Sequence, residues 1–174
     1  ERVNECPGSC NRDWRRANAF GETPEAEPAL GQPVWCGPCA TRIRHALDDL
    51  VEIYCLLEDE KGVLDVVDYG APGVVHRSQF SPVDEQDDFV RLLVSWDMTV
   101  GKLRDPDRDE HDWRGMTEPV VLSGVVASLR KNLDWALAHE DVARDLGVEL
   151  LRERSRLRER TSSGAGAIRK GKPC

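Results

Sequence analysis

Apolar positions along this chain fall into stripes at helical spacing, separated by segments rich in proline, glycine and charge. Ile43, Ala46, Leu47, Leu50, Tyr54 and Leu57 recur at steps of three and four and predict a helix over 40–58, stopped at Lys61-Gly62. Phe89, Leu92, Leu93, Trp96, Val100 and Leu103 form a second stripe. Ser81 and Pro82 mark its start, and Asp105-Pro106 marks its end. Leu122, Val125, Val126, Leu129, Leu133, Ala136 and Leu137 give the cleanest stripe, opened by Thr117-Glu118-Pro119 and broken at His139-Glu140-Asp141. Val142, Leu146, Leu150 and Leu157 point inward from a last helix, whose later half, Arg152 to Arg160, is nearly all charge. Between the first two stripes the pattern loses its period. Val63 to Val67, with Val74-Val75 opposite, is a candidate small β-hairpin. The fold class is therefore mainly α: a bundle of about four helices.

The first 40 residues follow another rule. Cys6-Pro-Gly-Ser-Cys10 and Trp35-Cys36-Gly-Pro-Cys39 are two short cysteine pairs with turn residues inside them. Two such knuckles can aim four sulfurs at one centre, which suits tetrahedral Zn²⁺. The second pair runs directly into the first long helix, so the layout is treble-clef-like. Residues 11–20 predict a short helix, and 21–34 predict a loop. Cys6, Cys10, Cys36 and Cys39 are the expected ligands of one structural Zn²⁺. Two disulfides, or merely buried thiols, are the competing reading. Trp35 is expected to shield the metal, and Cys55 to lie in the core. His45 lies six residues past Cys39 and could serve as a ligand only if a cysteine were not used. The expected domains are a knuckle over 1–40, a bundle over 41–160, and a flexible basic tail over 161–174 that begins with Thr161-Ser-Ser-Gly. Cys174, after Lys172-Pro173, is either the opening of a second zinc ribbon or a terminal thiol.

Charge sharpens this picture. The net charge is −8, but residues 150–174 hold eight Lys or Arg against two Asp or Glu. The preceding 149 residues hold 16 against 30 and repel a phosphate backbone at long range. A protein partner, with little direct DNA binding, is the expectation. The alternative is a DNA-binding regulator that uses the basic C-terminal helix and tail, together with Arg12, Arg15, Arg16, Arg42 and Arg44 near the knuckle. No apolar run reaches membrane-spanning length and no signal-peptide core is present, so the expected compartment is a reducing cytoplasm.

Candidate catalytic chemistry is thin. No phosphate loop, dinucleotide fingerprint or Gly-x-Ser-x-Gly elbow is present. Asp105, Asp107 and Asp109 match the first positions of a calcium loop, but Glu110 stands where its glycine belongs and Met116 where its bidentate Glu belongs. A non-enzymatic protein is expected. Candidate partner contacts are the apolar residues of two loops beside the bundle: Tyr69, Val74, Val75 and Phe80 in one, Trp113 and Met116 in the other. Arg152 and Arg156 would add charge pairing.

The two knuckles, the arginine-rich helical body and the Lys-Pro-Cys ending together resemble early proteins of phages that infect GC-rich bacteria. Among these, the layout is similar to recombination directionality factors of large serine integrases. The resemblance covers the whole chain but rests on no diagnostic motif. It implies a protein of the bacterial host cytoplasm that binds an integrase, redirects its coiled-coil arms, and switches recombination from integration to excision.

Overall fold

The computed structural model describes residues 5–67, 82–108 and 113–168, with side chains described for 5–55, 88–108 and 113–159. A 3₁₀ turn over Ser9–Asn11 leads into α1 (Arg12–Ala19). The long helices follow: α2 (Gly37–Val67), α3 (Pro82–Arg104), α4 (Glu118–Ala138) and α5 (Glu140–Ile168). No strand forms among the described residues; Glu5 and Leu30 make one isolated antiparallel bridge. α2 packs along α5 and α3 along α4, while α4 also lies against α5.

The stripes explain this packing. Ile43, Ala46, Leu47, Leu50, Ile53 and Tyr54 of α2 are buried, as are Val142, Ala143, Leu146, Leu150 and Leu157 of α5. Every apolar position expected to face inward from α4 does so, and Val121 joins them. α4 starts after an extended Thr117 with Pro in its first turn, and His139 leaves helical geometry at its end. The next helix begins one residue later.

Five expectations need correction. α2 does not stop at Gly62 but continues to Val67. An interior glycine costs only about 1 kcal/mol relative to alanine, and no proline follows before Pro72. Val63–Val67 is thus helical rather than one arm of a hairpin; Val74 and Val75 lie outside the described residues. α5 likewise runs to Ile168, through the Thr161–Ala167 segment expected to be a linker. Cys55 is exposed. One helical step of about 100° separates it from Tyr54, which occupies the core position. On α3 the buried set is Phe89, Val90, Leu93, Asp97 and Val100, while Leu103 is 42% exposed. Trp96 is only half-buried, and its Nε1 donates to Glu149 Oε2 at 2.7 Å. Apolarity alone pointed to Trp96 as the inward residue, but the inward position belongs to Asp97. Its carboxylate takes an ion pair from Arg108 at 3.3 Å.

The candidate metal centre

The knuckles converge. The four sulfurs of Cys6, Cys10, Cys36 and Cys39 all lie within 4.8 Å of one another. Cys10 Sγ stands 3.6 Å from Cys36 Sγ and 3.5 Å from Cys39 Sγ. Four thiolates about 2.3 Å from one ion in a tetrahedron would stand about 3.8 Å apart. All four cysteines are free thiols, so the set can hold a metal ion. His45 is exposed and lies outside the sulfur cluster.

Local structure makes the convergence. Gly8 is buried inside the first knuckle, and a Cβ there would stand 2.3 Å from Cys39 Sγ. Only glycine lets the first turn approach the second so closely. The backbone N–H of Cys36 points at Cys6 Sγ at 3.3 Å. Gly37 and Pro38 then open α2, placing Cys39 in its first turn. Cys6 and Cys39 are buried, Cys36 is half-buried and Cys10 is exposed. The cluster therefore has a sealed side and an open side.

The thiols are unequal in acidity. Burial pushes Cys6 up, but N–H groups of Cys36 and Gly8 and the thiols of Cys10 and Cys36 outweigh it, and its pKa falls below the ordinary thiol value. Burial, the neighbouring thiols and the charge of Cys6 raise Cys10. Cys39 is raised as well, mainly by burial, against the hydrogen bonds it receives from Cys10. One thiolate among four thiols discourages the next; a cation at their centre reverses that logic.

Two residues that the spacing of cysteines could not reveal hold the frame. Asn11, only 2% exposed, donates through Nδ2 to the carbonyls of Cys6 (3.0 Å) and Ala29 (2.8 Å). Its Oδ1 accepts the N–H of Ala29 at 2.7 Å. Arg15 of α1 reaches back to donate to the carbonyls of Cys6 at 3.1 Å and Gly8 at 2.7 Å. A polar residue directly after a knuckle cysteine was the only available signal for Asn11.

Trp35, the residue expected to shield the metal, joins the knuckle to the bundle. Its indole is 3% exposed and turned towards α5, where Nε1 donates to the carbonyl of Ala143 at 2.6 Å. A Cβ on Gly147 would meet Cζ2 of the ring at 2.5 Å, so a glycine on α5 forms the slot that receives it. The knuckle and the bundle share one hydrophobic cluster through this side chain, Val34, Cys6 and Cys39.

The remaining expected site residues are scattered. Tyr69, Val74, Val75 and Phe80 lie outside the described residues. Trp113 is half-buried, and its ring packs on α4 where a Cβ at Gly124 would stand 2.6 Å from Cη2. Met116, at the end of the same turn, is 48% exposed. On α5, Arg152 is exposed and Arg156 is paired with Glu153 at 2.5 Å. The nearby arginines offered as DNA contacts are largely occupied. Arg15 holds the first knuckle, Arg42 bonds Ser9 Oγ, and Arg44 pairs with Asp134 at 2.7 Å.

No protein-family model, curated protein or solved structure matches this chain. No helix among the described residues is long and apolar enough to cross a membrane.

Proposed function

We propose that Cys6, Cys10, Cys36 and Cys39 bind one Zn²⁺ as thiolates, and that the ion is structural. The observation that carries this is the approach of four sulfurs to near-tetrahedral spacing, two of them buried. Four thiolates fill a zinc sphere and leave no position for substrate or water, unlike a catalytic site. The ion would fix the N-terminal segment in the shape that seats Trp35 on α5. Metal analysis of protein purified without chelator tests this: one zinc per chain is expected, and less than half a zinc per chain overturns it.

For the protein as a whole we propose a non-enzymatic adaptor that binds a DNA-acting protein in the host cytoplasm. A phage serine integrase, switched by the adaptor to excision, is the first partner to try. The acidic charge of residues 1–149 supports a protein partner over DNA. So does the use of Arg15, Arg42 and Arg44 in internal contacts. Pull-down from the native host should return a recombinase, and adding the protein to that recombinase should promote excision. Tight, sequence-specific DNA binding by the isolated protein, falling steeply with salt, would establish the regulator reading instead.

A further inference from the structure

Away from the cysteines, the last turn of α3, the loop after it and the middle of α4 enclose a half-open cleft of about 540 Å³. Among the described residues three cations line it, Arg104, Arg108 and Lys131, on a body that is otherwise acidic. Cations near a helix C-terminus complement its dipole, and that alone would explain Arg104. It does not explain Arg108 or Lys131, which belong to the following loop and to α4.

Arg108 is held in place. Its guanidinium pairs with Asp97, whose side chain is 5% exposed, and lies across Gly101, where a Cβ would come within 2.3 Å of Nη1. Arg104 donates to Asn132 Oδ1, a neutral acceptor, while Asn132 Nδ2 donates to the Ser128 carbonyl at 2.9 Å. Lys131 makes no hydrogen bond or ion pair with any described residue. Among the described residues Asp105 is the one carboxylate lining the cleft, and its Oδ1 accepts the N–H of Asp107 at 3.3 Å. Among the described residues, Asp97 and Asp105 stand against the three cations and leave one positive charge over. Arg104 and Lys131 are exposed and keep donors that no described residue takes up.

We infer that this cleft binds the phosphate groups of a small, nucleotide-sized ligand, with Arg104 and Lys131 as the phosphate contacts and Arg108 as a fixed charge behind them. The volume falls within the range of small-molecule sites, and guanidinium and ammonium donors are the groups that bind phosphate. The inference is independent of the metal centre and of the adaptor reading.

The test titrates the purified full chain with inorganic pyrophosphate and with ATP, by calorimetry at low salt. Binding of both is expected, with ATP the tighter because the cleft has room for more than its phosphates. Lys131→Gln and Arg104→Gln should each weaken ATP binding about tenfold, the loss of one charge-assisted contact, while the melting temperature stays put. Both positions are exposed, so both variants should fold. Unchanged affinity in both variants would place the anion elsewhere, such as on the basic C-terminal residues, and overturn the assignment. Absence of heat for either probe at 10 mM would also overturn it, as would a single-stranded oligonucleotide that displaces ATP and binds more tightly.

Discussion

The N-terminal knuckle and the helical bundle are stabilised in different ways. Before Ile43 the described chain buries only Cys6, Val34, Trp35 and Cys39 among its apolar side chains. Its shape comes from four sulfurs, one buried amide and one arginine folded back on two carbonyls. Each of the four long helices instead contributes an apolar stripe to one continuous core. Hydrophobic burial is non-directional and tolerates adjustment, whereas a metal centre and buried hydrogen bonds are all-or-none. The bundle should therefore stand without the knuckle, and the knuckle should not stand without the metal proposed for it.

The largest effect that can break this comparison is metal removal. Structural zinc contributes about 10–16 kcal/mol of apparent binding free energy in small zinc folds, and no core in the knuckle can replace it. Chelation, or Cys39→Ser, should expose the amides of Cys6 and Ala29 to rapid hydrogen exchange while those of α4 stay protected. Simultaneous loss of protection in α4 would show that the two regions fold as one unit.

That contrast also governs what was legible in the sequence. The four long helices and the four clustered cysteines follow from spacing, because periodicity and ligand spacing are local patterns. On α3 the spacing places Phe89, Leu93 and Val100 in the core but misses Asp97, because a charged core position gives no apolar signal and its countercharge comes from Arg108, beyond the helix end. Trp35 illustrates the same gap. Its partner, Gly147, is more than a hundred residues away, and a glycine slot leaves no hydrophobic signal. The extent of α2 and α5 was underestimated at Gly62 and Thr161 because a lone glycine or a polar run weakens a helix without ending it.

A second test addresses the joint between the regions. Trp35→Ala should cost about 3–5 kcal/mol, the range for truncating a buried tryptophan. Gly147→Ala should also destabilise, because the new Cβ would stand 2.5 Å from the Trp35 ring. In the Trp35→Ala background the same change should cost clearly less, because the ring is gone and only the contact with Ile43 Cδ1, at 2.7 Å, remains to be relieved. Additive losses in urea denaturation would mean that the ring and the glycine do not meet.

Within the knuckle, Asn11→Ala should cost about 1–3 kcal/mol, because it removes three hydrogen bonds and leaves the Ala29 N–H without its partner, while Arg15 still reaches the Cys6 carbonyl and the Cys6 N–H still reaches that of Ala29. Asn11→Asp keeps the acceptor for Ala29 N–H but removes both donors, and should recover little of the loss. Zinc affinity should fall in parallel, read by competition with a chromophoric chelator. Wild-type affinity in Asn11→Ala would mean that the sulfurs, not the amide, set the loop.

The smallest expected effect lies in the bundle, where polar contacts of similar length do far less. Asp48 pairs with Arg130 at 2.7 Å, and Arg44 with Asp134 at 2.7 Å, both between α2 and α4. These distances match the bonds of Asn11, but the surroundings differ. The Asp48 and Arg130 side chains are 56% and 52% exposed, so water and salt screen the pair and solvate either partner left alone. Asp48→Ala should change stability by less than about 1 kcal/mol, and that difference should vanish in about 1 M salt. Asn11→Ala should keep its full cost at the same salt, because no ion reaches a buried amide. Equal salt sensitivity of the two variants would erase the distinction between the regions, since the polar bonds of the knuckle would then be as solvated as those on the surface of the bundle.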